Sequence, residues 1–120
     1  MTISEVIAKI NKTKPHPFDE DTIVSFINSL DQQVQADVLR TAIAERVDYT
    51  WASDGGTALL MPPPYDSCYL FYVAARIDFD TREFDSYNQN MIQYNTLYEE
   101  YKKWYKSQET TETIRIINFW

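Results

Sequence analysis

Apolar side chains recur at helical spacing along most of this chain. Ile3, Val6, Ile7 and Ile10 stand at i, i+3, i+4 and i+7, which is one face of a helix. Thr2 and Glu5 have the spacing of a capping box at its start. The helix runs to about Asn11 and is stopped by the stretch KTKPHPF, in which two prolines flank His16. Asp19 then reads as an N-cap, with Glu20 and Asp21 in the first turn. Ile23, Ile27, Leu30, Val34 and Val38 define a second helix that ends near Ala44. Its β-branched residues lower helix propensity slightly, but the period outweighs them.

Residues 62 to 105 carry the strongest pattern. Pro62, Pro63 and Pro64 cannot continue a helix from upstream, but proline suits a first turn, and Asp66 puts negative charge at the positive helix end. From Tyr65 to Ile77 the chain is apolar on nearly every side. Such a helix is central, covered by neighbours, and it is too short to span a bilayer. After a short polar corner from Asp78 to Arg82, the residues Phe84, Tyr87, Met91, Tyr94, Tyr98, Tyr101 and Tyr105 alternate at spacings of three and four. They mark one face of a second helix, antiparallel to the first. Asp80 reads as its N-cap, with Glu83 three residues on. Tyrosine fills a core but needs a partner for its hydroxyl, so this stripe suits either a boundary layer of the bundle or an interface.

Two segments depart from the helical period. In 45–61, Val47, Tyr49 and Trp51 alternate with polar neighbours, Ser53-Asp54-Gly55-Gly56 follows, and Thr57, Leu59 and Met61 alternate again. This predicts a β-hairpin or an extended loop, leaning on the helices or pairing with a neighbouring subunit. After Ser107 the polar run QETTET leads into Ile114, Ile116, Ile117, Phe119 and Trp120. An apolar terminus either folds back as a strand or adds a strand to another chain, and the polar spacer favours the second. The expected fold is therefore mainly α: a small helical bundle of about four helices, with a β-hairpin or extended loop at 47–61 and an extended C-terminal tail. Residues 1–107 form the helical domain and 108–120 the tail. The expected protein-interface residues are Tyr49, Trp51, Leu59, Met61, Ile114, Ile116, Ile117, Phe119 and Trp120.

Composition narrows the function. A chain of 120 residues makes one domain with a modest core. Its net charge of −7, from 18 acids against 11 Lys and Arg, argues against direct binding of DNA or RNA and against an anionic membrane surface. One cysteine, Cys68, forms no intramolecular disulfide, and MTISEVIAKINKTK lacks the apolar core of a signal peptide. A cytoplasmic chain, or one assembled from the cytoplasm, is expected. Candidate chemistry is sparse. The single histidine, His16, reads as an exposed loop residue, and Cys68 in the most apolar helix reads as a small hydrophobe. Zinc ligand sets and phosphate-cradling glycine loops are missing from the sequence. Asp78-x-Asp80 has the start of a calcium loop without its glycine or closing glutamate. No nucleophile, base or metal set supports an enzyme, and no cofactor is expected.

The run Pro64-Tyr65-Asp66, Tyr69, Tyr72, Ile77-Asp78, Tyr87-Asn88, Tyr94-Asn95, Tyr98 and Tyr101 resembles head–tail connector (adaptor) proteins of tailed phages and prophages of Gram-positive bacteria. The likeness covers the second half of the chain, and the first half matches in layout. It implies a structural virion protein that forms an oligomeric ring, typically of twelve copies, beneath the portal. Such a ring extends the DNA channel and joins the capsid to the tail or neck. The implied partners are the portal protein, the next neck or tail completion protein and other copies of the chain. Genome DNA passes through without specific binding, and no membrane is involved. The family reaches its partners through an extended loop and a terminal segment, here 47–61 and 114–120. The other reading of the same chain is a small acidic phage-encoded binding or regulatory module acting on a host protein.

Overall fold

The computed structural model describes residues 1–50 and 55–118, with side chains given as far as Gln108. Its elements are α1 (Ile3–Thr13), α2 (Glu20–Asp37), a short 3-10 turn (Ile43–Glu45), α3 (Ser67–Asp80) and α4 (Phe84–Asn118). The fold is mainly helical, with four α-helices and no strand among the described residues.

The start signals behave as read. Thr2 Oγ1 accepts from the Glu5 N–H at 3.2 Å, and Asp19 Oδ1 accepts from the Thr22 N–H at 2.9 Å, each satisfying one of the orphan donors of a first turn. Ile3, Val6, Ile7 and Ile10 are all buried, as are Ile23, Ile27, Leu30 and Val34. The stops are less regular. Helix α2 ends at Asp37 rather than near Ala44, because Arg40 turns into the left-handed region (φ 52°). The Leu39 and Thr41 N–H groups close onto the carbonyls of Val34 and Gln35.

Helix α3 is the central helix. Cys68, Tyr69, Val73, Ala75, Ile77 and Asp78 are buried, and the helix packs against α1, α2 and α4. The corner between α3 and α4 is a Schellman motif. Arg82 takes the left-handed conformation (φ 63°), the Arg82 N–H donates to Phe79 O at 3.3 Å, and the Glu83 N–H donates to Asp78 O at 2.8 Å. Asp80 thus ends α3 and does not cap α4. The cap position falls to Glu83, whose carbonyl accepts from the Tyr87 N–H at 2.9 Å.

Of the two forms expected for 47–61, the described residues are extended loop. Gly55 to Leu59 run beside the N-terminus, where Ser4 N–H donates to Gly55 O at 2.9 Å and Leu59 N–H to Met1 O at 3.0 Å, with a single antiparallel bridge between Thr2 and Ala58. Backbone pairing of 55–59 is thereby spent on the N-terminus, and no hairpin forms among the described residues. The C-terminal segment also differs from expectation. Helix α4 is continuous through Asn118, past Ser107 where the tail was expected to extend. No glycine or proline follows Pro64, and Gln and Glu in QETTET are good helix formers that offset the threonines. At 1.5 Å per residue α4 is roughly 52 Å long and α3 roughly 21 Å, so α4 outruns its partner and sets the 58 Å long axis of the molecule.

Candidate interaction surface

The tyrosine stripe of α4 covers the core in its middle and leaves it at its ends. Tyr94, Tyr98 and Tyr101 are buried, while Phe84 is 54 % exposed. Two of the buried hydroxyls reach α2: Tyr94 OH donates to Gln33 Oε1 at 3.4 Å and Tyr98 OH to Asp37 Oδ2 at 3.1 Å. Burial raises the pKa of both phenols, and it pushes Tyr101 up to about 12. Tyr65, Tyr101 and Trp104 close this end of the α3–α4 pair, with ring centroids 5.5 to 6.0 Å apart.

A buried polar cluster fastens the 47–61 segment. Asp31 is fully buried on α2. It accepts from Tyr69 OH at 2.5 Å on one oxygen and from Tyr49 OH at 2.7 Å on the other, and Tyr69 OH in turn accepts from the Met61 N–H at 2.9 Å. Burial holds the Asp31 pKa above the usual carboxylate value despite the lowering effect of these bonds. It also drives Tyr69 far up, with the charge of Asp31 adding to it. Next to Asp31 on the same face of α2, Gln32 Nε2 donates to Val47 O at 2.6 Å and Gln35 Oε1 accepts from the Val47 N–H at 2.7 Å. Asn28 Oδ1 accepts from the Tyr49 N–H at 3.0 Å. Perturbed acids mark active sites when a substrate reaches them. Here Asp31 and Tyr69 have no exposed surface, and the cluster acts as a clamp on the loop.

The remaining candidate groups are structural too. Asp78, also fully buried, pairs with Lys14 and accepts from Asn90 Nδ2 at 2.7 Å. Its burial would raise the pKa, but bonds from Lys14, Ser86 and Asn90 outweigh that and hold it below the ordinary value. Cys68 is buried, and desolvation lifts its pKa to about 12, so the thiol stays protonated. His16 is half-buried and bonded on both nitrogens, Nδ1 accepting from the Phe18 N–H at 3.1 Å and Nε2 lying 2.7 Å from Asn11 Oδ1. It staples the turn between α1 and α2. Among the described residues no group of three acids, cysteines or histidines could hold a metal ion. No helix among them is long and apolar enough to cross a membrane.

The expected interface residues are therefore divided. Tyr49, Leu59 and Met61 are 6 %, 7 % and 0 % exposed and belong to the core of the single chain. Their alternation reflected packing under a loop, not surface. Trp51, Phe119 and Trp120 lie outside the described residues, and Ile114, Ile116 and Ile117 sit on the helical backbone of α4 beyond the side chains described. Exposed apolar surface occurs elsewhere. Ile43 is 82 % exposed and Val47 42 %, both in the segment that follows α2; Phe79 and Phe84 are each 54 % exposed at the α3–α4 corner. Phe79 packs edge-on to Phe84 (6.5 Å) and lies 5.6 Å from the Tyr87 ring, forming an aromatic tip. Neither exposure was anticipated: the three-four spacing placed Phe84 on the apolar stripe of α4, and Ile43 fell inside the expected span of α2.

Comparison with protein-family models, with curated proteins and with solved structures finds no match to this chain.

Proposed function

We propose that this chain is a structural virion protein: a head–tail connector of a tailed phage that sits as an oligomeric ring beneath the portal and joins the capsid to the neck or tail. The observation that carries the reading is large apolar side chains left in water at both ends of a bundle whose core is already closed. Ile43, Val47, Phe79 and Phe84 are exposed, while the buried core comprises residues from all four helices. Exposed apolar surface with a polar rim marks a site of protein association.

The resemblance supplies the class of assembly. Tyr69 closes the Asp31 clamp, Asp78 takes the Lys14 ion pair, Tyr72 packs on Tyr94, and Tyr98 and Tyr101 fill the seam between α3 and α4. These residues hold the fold, so the likeness speaks for a shared architecture and leaves contact residues to each protein. The net charge of −7 suits a wall past which DNA must slide, because a basic wall would bind phosphates. The partners in this reading are the portal, further copies of the chain and the next neck protein.

The test is genetic. Deleting the gene from its phage is expected to yield DNA-filled heads without tails, with normal virions restored by a plasmid copy. Infectious, tailed particles from the deletion strain would overturn the reading. They would favour the competing one, a small acidic module acting on a host protein.

A further inference from the structure

The segment after α2 turns back at Arg40 and rests on that helix through side chains. Gln32 Nε2 donates to Val47 O at 2.6 Å, and Gln35 Oε1 accepts from the Val47 N–H at 2.7 Å. Asn28 uses both amide atoms, accepting from the Tyr49 N–H at 3.0 Å and donating to Asp48 Oδ1 at 2.5 Å. Among the described residues, 42–48 make no main-chain hydrogen bond to an α-helix. Apolar contact adds little. Ile43 is 82 % exposed and Val47 42 %, and between residues 40 and 50 Tyr49 is the one buried side chain.

That ring covers a buried carboxyl with no cation. Tyr49 OH donates to one oxygen of Asp31 and Tyr69 OH of α3 to the other. The other groups acting on Asp31 are neutral too: the Leu60 N–H at 3.5 Å, and Tyr101 of α4, whose phenol is raised in part by the Asp31 charge. On α1, Glu5, Lys9 and Lys12 are exposed, and none bonds to Asp31. The segment itself carries Arg40, Glu45, Arg46 and Asp48; Arg46 Nε donates to Thr41 O at 3.1 Å, and Asp48 faces Asn28. Among the described residues no lysine, arginine or histidine pairs with Asp31.

From this geometry we infer that residues 40–50 are a lid over Asp31, shut while Asp31 holds its proton and opening once the proton leaves, with the helices and residues 59–61 staying in place. A buried carboxylate without a counter-ion is relieved either by a proton or by water. Tyr69 is fixed in α3, so water reaches the carboxyl where Tyr49 swings away. A protonated Asp31 is cheap to bury, and its O–H can turn to Tyr49, whose hydroxyl accepts as well as donates. Burial holds the Asp31 pKa above the ordinary carboxylate value in the shut form. The shut form therefore binds the proton more tightly than the open one. The opening constant rises with pH, by at most about tenfold per unit, and levels off once pH passes the shut-form pKa. Residues 59–61 do not follow the lid. The Leu59 N–H is bonded to Met1 O at 3.0 Å, and Met61 is fully buried with its N–H on Tyr69 OH at 2.9 Å. The lid and the connector reading do not depend on each other.

Amide hydrogen exchange of the full chain across pH 4–8 tests it, with each rate divided by the unstructured rate at the same pH. The Val47 and Tyr49 N–H groups, both bonded to α2 side chains, are expected to be roughly tenfold or more less protected than the Met61 N–H and the central amides of α3. Their protection should fall by about threefold or more as pH rises, and level off where the carboxyl carbon resonance of Asp31 titrates. In Asp31→Asn, checked for unchanged helicity, the pH dependence of these two amides should vanish. Tyr49→Phe, which keeps the ring and loses the bond, should open the lid further at every pH. If Asp31→Asn does not fold, the match in the wild type between the levelling-off and the Asp31 titration decides. Val47 and Tyr49 exchanging in step with α3 at every pH would overturn the lid. Protection that falls equally in Asp31→Asn, or that ignores the Asp31 titration, would overturn the role of the carboxyl.

Discussion

Asp31 is the residue on which the loop depends. Both its oxygens accept from buried tyrosines, and one of those tyrosines passes the bond on to the backbone of Met61. Tyr69→Phe deletes one hydroxyl but strands two buried groups, Asp31 Oδ1 and the Met61 N–H. At about 1–3 kcal/mol per stranded group, urea unfolding should show a loss of roughly 2–6 kcal/mol. The same carboxylate has a folded-state pKa above its unfolded value, because burial dominates. Its contribution is thus fully present below the unfolded pKa and is lost as pH rises through the folded one. Asp78 works in the opposite direction: its lowered pKa gives stability above the unfolded value that is lost as pH falls. The stability difference between wild type and Asp31→Asn should therefore move in favour of the variant as pH rises above the ordinary carboxylate range. Urea midpoints across pH 3–8 check this, and a difference that stays flat contradicts the assignment.

The elements are held by their ends as much as by their faces. Lys14, one residue past α1, reaches the buried Asp78 of α3 and the Glu83 cap of α4, tying three helices at one corner. Lys14→Met leaves Asp78 charged and unpaired, and breaking such a pair costs about 3–5 kcal/mol. A marked fall in melting temperature is expected, and its recovery in Lys14→Met with Asp78→Asn would assign the loss to the orphaned charge. Arg82 occupies a left-handed C′ position that glycine suits better. An L-residue there costs about 1–2 kcal/mol, and glycine gives back some of that as unfolded-state entropy. Arg82→Gly should gain roughly 0.5–1 kcal/mol by chemical denaturation. These two ends also mark the limit of what the pattern could disclose. Helix faces and the N-caps Thr2 and Asp19 were readable because period and capping chemistry are local, whereas Asp80 ends a helix instead of capping one. The stop at Arg40 was not, because no glycine or proline announced a left-handed turn; the corner from Asp78 to Arg82 was placed, but not the left-handed residue that makes it. Nor was the docking face Asn28, Asp31, Gln32 and Gln35, which has helical spacing but reads as a solvated stripe until the 47–50 backbone lies on it. The interface was the least legible of all. Alternation in Tyr49, Leu59 and Met61 looked like a projecting hairpin, yet burial of the loop against the N-terminus and α2 turned those side chains inward.

Taken whole, the molecule is a closed helical body with a helix longer than the body needs and apolar residues at both ends. A bundle this size has few ways to hide more surface, so what remains exposed is available to other polypeptides. Weighing the particle in solution tests this most directly. The purified chain is followed by sedimentation velocity, alone over a range of concentrations and then with a phage portal protein, the partner that the proposed function requires. Mass that rises with concentration, and a stable complex carrying many copies per portal ring, is the expected outcome. A strict monomer at every concentration that leaves the sedimentation of the portal unchanged would contradict it.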